Sequence, residues 1–261
     1  MTFENPAEYN KMYAAFTKGP VVPVVSGAEG PTKQSLISRG PGEYYANITF
    51  MDAQLGRLLS WLTEEGLSES TIVIFLSDNG PVTSDWFKWF EINAHGSTGG
   101  LRGRKHFLYE GGIRVPALVR YPKMTKVGDL SHEIVVGMDF FVTLTKLAGG
   151  EVPSDRPIDG IDISEALRGG ALPERAITWG LSAVSEIEFA VRRGNWKLLS
   201  DGNLQPMQLF NLAEDPLEFF NIIKENPLVL ERLNKDLKES VMSFRNDPYR
   251  PDTKMKFRYE Q

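Results

Sequence analysis

An apolar run from Thr71 to Leu76 leads directly into the turn residues Ser77-Asp78-Asn79-Gly80 and restricts the possible folds of this chain. Apolar runs of this length, bounded by turn residues, are typical of buried strands in parallel sheets. Open α/β sheets bind their ligands at the carboxyl ends of such strands. The run therefore predicts an α/β protein in which a carboxylate, Asp78, and an amide, Asn79, lie at the ligand-binding edge of the sheet.

Helical and strand-like patterns alternate along residues 43–175. A helical stripe of apolar residues runs from Glu43 to Gly66, strand-like runs follow at residues 115–122 and 134–138, and a further helical pattern begins at Asp139. Strands that alternate with helices are typical of doubly wound sheets. We therefore predict that residues 43–175 form part of a doubly wound mixed sheet.

The pattern changes after residues 150–175, which are rich in Pro, Gly and Asp. Three short apolar runs separated by turn residues occupy residues 189–211, and helical spacing follows at residues 227–245. Closely spaced runs of this kind indicate an antiparallel meander. Residues 176–261 are therefore predicted to form a small α+β subdomain with an antiparallel sheet and a terminal helix.

The N-terminal segment, residues 1–42, shows no regular period, because Gly and Pro recur along it. Such residues interrupt both helices and strands, and irregular stretches of this length are uncommon inside compact domains. We predict an irregular segment that either lines a functional surface or normally packs against another part of the fold.

Composition excludes several kinds of partner and chemistry. Hydrophobic residues make up 41% of the 261 residues, which is enough for a core, and the net charge of −5 provides no basic face for nucleic acid. The absence of cysteine excludes disulfides, thiolate metal sites and a cysteine nucleophile. No run approaches membrane-spanning length, and the N-terminus has no signal-peptide pattern. We expect neither nucleic acid nor a membrane as a partner, and nothing in the sequence indicates an oligomeric state.

Asp78 and Asn79 are the candidate metal ligands. One anionic and one neutral oxygen suit a hard cation such as Ca²⁺ or Mg²⁺ better than zinc. Asp-Asn-Gly is also ordinary turn chemistry, and the turn is the favoured interpretation of these residues taken alone.

A basic loop lies further along the chain, at residues 99–106. Its glycines allow the backbone to approach a ligand, and its Arg and Lys side chains could hold an oxyanion. The alternative is a solvated basic loop. In the segment that follows, Glu110 and Arg114 are placed to form a structural ion pair.

Order and spacing of these motifs resemble the sulfatase family of the alkaline-phosphatase-like superfamily. In that family a strand ends in Ser-Asp-Asn-Gly, and a Lys precedes a Tyr-Glu-Gly-Gly-x-Arg-x-Pro segment. The matching positions here are residues 77–80, Lys105 and residues 109–116. The similarity extends over about residues 43–225 and is strongest to arylsulfatases and N-acetylgalactosamine-6-sulfatases, in particular the glycan-acting, bacterial-type branch. It implies an alkaline-phosphatase-like α/β fold whose catalytic domain includes residues 43–175.

The resemblance also implies roles for individual residues. Asp78 and Asn79 would ligate a divalent metal, usually Ca²⁺ with Mg²⁺ as the alternative, and Lys105 would contact the sulfate as a catalytic residue. A metal and a lysine together neutralise an anionic ester and the charge that develops as its S–O bond breaks. The implied substrate is a sulfated carbohydrate or an aryl sulfate. Further candidates for substrate binding are the neighbouring basic side chains His95, Arg104 and His106, although loop histidines are more often plain surface residues.

The departures from the family pattern are equally informative. Sulfatases carry near their start an Asp-Asp metal pair and a Cys-or-Ser-x-Pro-x-Arg motif, whose first residue becomes a formylglycine nucleophile. Neither is present in these 261 residues. The chain therefore resembles the C-terminal portion of a sulfatase, its implied partner is the N-terminal half of the catalytic domain, and we expect the chain alone to be inactive.

Two functional hypotheses follow. The chain is a portion of an active sulfuric ester hydrolase, or it is a non-catalytic pseudoenzyme or binding module that retains a metal and oxyanion half-site. A phosphodiesterase of the same superfamily is disfavoured, because such enzymes typically have Asp and His where this chain has Asp78 and Asn79. The chain itself indicates no compartment, while the resemblance implies a periplasmic, secreted or lysosomal parent protein.

Overall fold

The computed structural model describes residues 5–16, 22–26, 33–37, 41–82, 95–181 and 185–246. The helices described are α1 (Ala7–Met12), α2 (Gly42–Glu64), α3 (Glu110–Ile113), α4 (Asp139–Leu147), α5 (Ser164–Leu167) and α6 (Pro227–Arg245), with a 3-10 turn at Ala14–Phe16. The strands described are β1 (Val22–Ser26), β2 (Lys33–Ile37), β3 (Val73–Leu76), β4 (Ala117–Arg120), β5 (Ala176–Gly180), β6 (Phe189–Arg193), β7 (Trp196–Ser200) and β8 (Pro206–Asn211).

The chain divides into two compact units. The first unit comprises Met1–Gly56, Ser77–Pro116 and Arg175–Gln261, and the second comprises Arg57–Leu76 and Ala117–Glu174. In this division the residues that carry the candidate ligands group with the C-terminal sheet. All of the candidate site residues therefore lie in the first unit.

The C-terminal sheet of the first unit is antiparallel throughout, with the strand order β5-β6-β7-β8. Side chains of successive residues point to opposite faces of a strand, so each strand contributes to two apolar layers. One layer packs against α6, and its buried members are Phe189, Val191, Leu198, Leu209, Leu233, Leu237 and Val241. The predicted meander and terminal helix are confirmed, whereas β5 was not predicted.

The other face of this sheet covers the segment that leads into α3. Ala190, Leu199 and Phe210 pack there against Phe107, Leu108 and Tyr109 in a second buried cluster. The Tyr109 hydroxyl also donates a hydrogen bond of 2.8 Å to Gln208 Oε1 on β8. The C-terminal sheet therefore holds the segment between the basic loop and α3 in place.

The N-terminal segment is more regular than predicted. It contains α1 and the antiparallel pair β1–β2, in which Val22 lies opposite Ile37. Aromatic side chains explain the helix, because Tyr9 packs edge-on against Phe50 of α2 at 5.3 Å between ring centroids. Ala7–Met12 contains neither Gly nor Pro and forms α1, whereas β1 includes Pro23, which lies opposite Leu36 of β2. Residues 1–4, 17–21, 27–32 and 38–40 of this segment lie outside the described residues.

In the second unit, the apolar run at residues 71–76 forms β3, but not in a parallel sheet. It pairs with β4 in a two-stranded antiparallel ladder, in which Phe75 lies opposite Leu118. The expectation of a buried strand is also wrong, since Phe75 is 37% exposed and Leu118 is 66% exposed. An apolar run indicates that a strand packs against other apolar surface. It specifies neither the partner strand nor the direction of pairing.

A buried carboxylate organises the start of α4. Residues 134–138, predicted as a strand, form a segment without regular secondary structure and a turn instead. Asp139 is fully buried, and its two oxygens accept hydrogen bonds from the backbone N–H groups of Val136, at 2.9 Å, and Ile161, at 3.0 Å. These bonds replace the ladder bonds that a strand would have made. The helix ends at Leu147, and Gly149, which follows with a positive φ of 77°, donates its N–H to the Lys146 carbonyl oxygen at 2.9 Å.

None of the helices in the described parts of the chain is both long and apolar enough to cross a membrane.

Candidate functional site

The residues after β3 form a locally hydrogen-bonded turn. Ser77 Oγ donates to the Asn79 carbonyl oxygen at 2.8 Å, and the Asn79 backbone N–H donates to Asp78 Oδ1 at 2.9 Å. The Asn79 side-chain amide donates in turn to the Gly80 carbonyl oxygen at 2.9 Å. The turn anticipated from Asp-Asn-Gly is therefore present, and it fixes the orientation of both candidate ligands.

This turn leaves oxygen atoms available for a cation. Asp78 is exposed, and the hydrogen bonds among the described residues engage its Oδ1 but not its Oδ2. Asn79 uses its Nδ2 as a donor, which leaves its side-chain oxygen as the acceptor. Ca²⁺ takes six to eight oxygen ligands, and the described residues contain no group of three or more His, Cys, Asp or Glu that could hold a metal. Asp78 and Asn79 thus fit as part of a coordination shell.

The basic loop is tied to the chain just beyond this turn. The Lys105 backbone N–H donates to the Pro81 carbonyl oxygen at 2.9 Å, and Arg104 Nε donates to the Val82 carbonyl oxygen at 3.1 Å. The Gly80 N–H donates to the Gly112 carbonyl oxygen at 2.9 Å. The structure therefore brings the backbone of Lys105 next to the segment that carries Asp78 and Asn79, while their roles in binding a metal and sulfate stay predictions.

Arg104 is held by the protein itself. Besides its bond to Val82, its Nη2 donates to the Gly96 carbonyl oxygen at 2.5 Å. Burial lowers the pKa of the Arg104 guanidinium, and an electrostatic interaction with Tyr44 only partly offsets this effect. These contacts give Arg104 a role in shaping the loop, while its contact with a substrate stays a prediction.

The two loop histidines are half-buried. His95 directly precedes Gly96, and His106 directly follows Lys105. Burial lowers the pKa of the His106 imidazole, and the neighbouring Lys105 charge lowers it further. His106 also has a positive φ of 76°, a conformation that L-residues seldom adopt. Its backbone is therefore turned sharply at the residue after the candidate catalytic lysine.

Three glycines allow the close backbone packing around α3. A methyl group on Gly80 would collide with the carbonyl oxygen of Gly111, and one on Gly112 would collide with that of Phe107. A methyl on Gly111 would meet the carbonyl oxygens of residues 101–103. The Gly-Gly pair of the family motif is thus explained by main-chain contacts rather than by ligand approach.

A buried ionic cluster beneath α3 was not anticipated in the sequence. Lys197 Nζ lies 3.0 Å from Glu110 Oε1 and 2.8 Å from Glu218 Oε1, and all three side chains are at most 1% exposed. Arg192 Nη1 lies 3.2 Å from Glu110 Oε2. The predicted partner Arg114 is only a peripheral member at 3.9 Å, and its side chain is 55% exposed.

One signal in the sequence could have identified this cluster. Lys197 lies in the apolar run of β7, two residues before Leu199, and residues two apart share a face of a strand. Because Leu199 belongs to the cluster beneath Tyr109, Lys197 points toward the same segment. A lysine on the core-facing side of a strand requires buried acidic partners.

Two known protein families match this chain. Residues 2–150 match the family described as Sulfatase, and residues 103–247 match that described as N-sulphoglucosamine sulphohydrolase, C-terminal. Arylsulfatase A of Homo sapiens is 32% identical over 215 residues, which cover 73% of this chain and 41% of that protein. The N-acetylgalactosamine-6-O-sulfatase of Bacteroides thetaiotaomicron is 30% identical over 211 residues, covering 74% of this chain and 40% of that protein.

The fold has a solved counterpart. The crystal structure of Ps i-CgsB aligns with a TM-score of 0.75 and 22% identity, covering 97% of this chain and 49% of that one. This likeness confirms the predicted alkaline-phosphatase-like α/β fold class. The chain spans less than half the length of the two relatives named above. Because the Sulfatase match alone covers more than half of its residues, the chain belongs to the sulfatase family.

Proposed function

We propose that this chain supplies the metal-binding and sulfate-binding half of a sulfatase active site. Asp78 and Asn79 bind a divalent cation, preferentially Ca²⁺, and Lys105 contacts the sulfate group of the substrate. The observation that supports this most directly is the pair of backbone hydrogen bonds, Gly80 to Gly112 and Lys105 to Pro81, which join the segment after Asp78 and Asn79 to the segment at residues 105–112. Family membership supports the same roles.

The chemistry of these residues suits sulfate-ester cleavage. A bound Ca²⁺ would supply positive charge to the ester oxygens. Lys105 carries a compact ammonium that can contact a sulfate oxygen from a second direction and stabilise negative charge in the transition state. His106, whose pKa is lowered, stays neutral near pH 7 and can contact the leaving-group side of a substrate without repelling Lys105. His95 and Arg104 complete the proposed substrate-binding side.

The nucleophile of the reaction lies outside these residues in our proposal. A formylglycine and its accompanying acidic metal ligands would come from the N-terminal half of a sulfatase catalytic domain. Within the second unit, Leu76 is 42% exposed and Leu118 is 66% exposed on the β3–β4 pair. Two-stranded sheets are marginally stable alone, and exposed apolar surface of this kind is suited to burial against further parts of the fold.

Ca²⁺ binding by the 261-residue chain is the first test. Titration calorimetry should detect binding that Asp78→Ala abolishes and that Asp155→Ala, at an exposed position paired with Arg156, leaves unchanged. If the wild-type chain and Asp78→Ala gave the same calorimetric response, the assignment of Asp78 and Asn79 would be wrong.

Catalysis requires a second test. The chain can replace the matching region of the Bacteroides thetaiotaomicron relative, so that the relative provides the rest of the fold. We expect this hybrid to hydrolyse a sulfate ester of N-acetylgalactosamine, and Lys105→Ala to lower kcat/KM about 100-fold or more, because it removes charge stabilisation from the transition state. Lys123→Ala, at an exposed lysine outside the site, is the matched control. Equal activity of the Lys105→Ala and Lys123→Ala hybrids would contradict the proposed role.

The choice of a sulfated sugar rests on the relatives. The N-acetylgalactosamine-6-O-sulfatase supports a glycan substrate, and arylsulfatase A supports an aryl sulfate as an assay compound. We further expect the purified chain alone not to hydrolyse an aryl sulfate. Turnover by the chain alone that is lost in Asp78→Ala would show that it carries a complete active site.

A non-catalytic binding module is the second candidate function. The observation that favours it is the absence of any Cys and of any Ser-x-Pro-x-Arg motif from the sequence. Ca²⁺ binding by the chain, combined with a folded hybrid that has no sulfatase activity, would select this alternative.

A further inference from the structure

The buried cluster beneath α3 consists of two carboxylates and two cations. Glu110 and Glu218 lie on either side of the Lys197 ammonium, and Arg192 contacts the second oxygen of Glu110 at 3.2 Å. Lys197 and Glu218 have no exposed side-chain surface, and Glu110 has 1%. A charge buried in this way is tolerated only when paired, and replacing a whole buried ion pair by apolar residues is often neutral or stabilising. The presence of this buried cluster therefore indicates that the segments around it require a defined geometry.

Glu218 connects the cluster to the first turn of α3. Its Oε2 accepts a hydrogen bond of 2.6 Å from the Glu110 backbone N–H, while its Oε1 faces Lys197 as an ion pair. Its backbone carbonyl accepts a bond of 2.7 Å from Arg102 Nη1, and the Arg102 guanidinium lies 4.1 Å above the Tyr109 ring. Lys197 thus fixes both the start of α3 and the beginning of the basic loop.

The same elements carry the proposed ligands. Arg102 accepts at its carbonyl oxygen a 2.7 Å bond from the Gly111 N–H, and Gly112 accepts one of 2.9 Å from the Gly80 N–H. Gly80 directly follows Asn79, and the next residue, Pro81, accepts the bond from the Lys105 backbone. Continuous hydrogen bonds therefore join the buried cluster to both sides of the proposed site.

Lys197 cannot itself contact a substrate, because its side chain is fully buried. We propose that Lys197, held between Glu110 and Glu218, is a positioning residue that fixes the backbone of the Asn79–Gly80 turn and of Lys105 in the arrangement that cation and sulfate binding require. This inference deepens the proposed function and rests on it for the identity of the ligands. The coupling of Lys197 to these backbone segments is a property of the chain itself and does not depend on any ligand.

Amide hydrogen exchange of the full chain tests the coupling directly. The variant is Lys197→Met, which removes the ammonium but retains a long side chain. We expect the exchange rates of the Gly80 and Lys105 amides, relative to that of the Leu230 amide in α6, to rise about tenfold or more. Leu237→Ala is the matched control, because it destabilises the opposite face of the same sheet without touching the cluster. In that control the relative rates should not rise.

Two results would overturn the inference. One is an unchanged relative exchange rate at Gly80 and Lys105 in Lys197→Met, and the other is an equal rise in Leu237→Ala. Should Lys197→Met not fold, Glu110→Gln keeps the shape of the cluster and removes one charge, and the same comparison applies to it.

Ca²⁺ titration of the same variants links the coupling to function. We expect Lys197→Met to weaken Ca²⁺ binding about tenfold, and Leu237→Ala to leave the affinity of the folded protein unchanged. A wild-type chain that does not bind Ca²⁺ contradicts the proposed function but leaves the exchange result as a separate test of positioning. Binding that is equally tight in wild type and Lys197→Met contradicts the positioning role alone.

Discussion

The backbone N–H of Gly80 donates a hydrogen bond of 2.9 Å to the carbonyl oxygen of Gly112. This bond joins the turn that carries Asp78 and Asn79 to the end of α3, and it requires the two main chains to approach closely. Side chains at either position would prevent that approach, because the space of their first carbon is already occupied by backbone atoms.

Gly112→Ala should therefore destabilise the chain. The added methyl would overlap the carbonyl oxygen of Phe107, a backbone atom that cannot move away as a flexible side chain would. We expect the free energy of unfolding to fall by about 1–3 kcal/mol, as in other overpacked sites. Gly56→Ala is the control, since nothing lies within 4 Å of its added carbon. Because Gly56 lies inside α2, the free energy of unfolding of this control should rise by about 0.5–1 kcal/mol. Urea denaturation of both variants measures the difference, and equal stabilities would contradict the explanation.

Asp139→Ala should destabilise the second unit. The change removes the acceptor for the Val136 and Ile161 backbone N–H groups and leaves both without that partner. We expect a loss of about 2 kcal/mol or more in the free energy of unfolding. Asp155→Ala, at an exposed ion pair with Arg156, should produce no measurable change. Denaturation of the two variants side by side checks this, and a similar loss in both would contradict the role of Asp139.

Leu237→Ala should show how much α6 contributes to the C-terminal sheet. Leu237 is fully buried against β6, β7 and β8, so its truncation leaves a cavity in a packed layer. We expect a loss of about 2–5 kcal/mol in the free energy of unfolding. Leu228 belongs to the same helix but is 80% exposed, and Leu228→Ala should lie within about 0.5 kcal/mol of wild type. Comparable losses at the two positions would show that α6 is not packed as described.

Glu218 should make stability depend on pH in an unusual direction. Burial raises the pKa of its carboxyl above the ordinary value of 4.5, and the Lys197 ammonium only partly offsets this. Between these two pKa values the native state binds more protons than the unfolded chain, so the free energy of unfolding falls as pH rises through that window. The contribution of Glu218 to the free energy of unfolding is thus fully present below pH 4.5. It is lost as the pH rises through the pKa of Glu218 in the native state.

Glu218→Gln isolates this effect, because glutamine does not titrate but can still accept the bond from the Glu110 N–H. Denaturation over a pH series should show that the stability of wild type, minus that of Glu218→Gln, decreases as pH rises from about 4.5. Glu165→Gln, at a side chain 68% exposed, should show no such trend. A difference that grows with pH would mean that the pKa of Glu218 is lowered rather than raised.

Much of the C-terminal fold follows from local sequence patterns. The short apolar runs around Val191 and Leu198, separated by a turn, predicted antiparallel strands, and the spacing of Leu233 and Leu237 predicted the helix that covers one face of them. By contrast, the pairing of β3 with β4 joins residues more than forty positions apart, as in Val73 opposite Arg120. No local period encodes such a pairing, so the predicted parallel arrangement was wrong.

In the candidate site, too, local patterns predicted some features, while contacts between residues distant in the sequence were not predicted. Asp78, Asn79 and Lys105 are proposed as site residues from motif order, and the turn at Asp78, predicted from its composition, is present. The cluster of Glu110, Lys197 and Glu218 was not found, because the partners of the ion pair between Glu110 and Lys197 are 87 positions apart. A charged residue in an apolar strand indicates that a buried partner exists, but only the folded chain identifies it.

The isolation of the Lys197 ammonium from solvent has a practical consequence for chemical labelling. Reagents that acylate amines reach surface lysines such as Lys235, whose side chain is 74% exposed, but have no access to a side chain with no exposed surface. Acylation of Lys197, read by mass spectrometry, therefore reports only on molecules in which the C-terminal sheet has separated from the segment above it. The chain thus contains an internal probe for the opening of this interface, and no label has to be introduced.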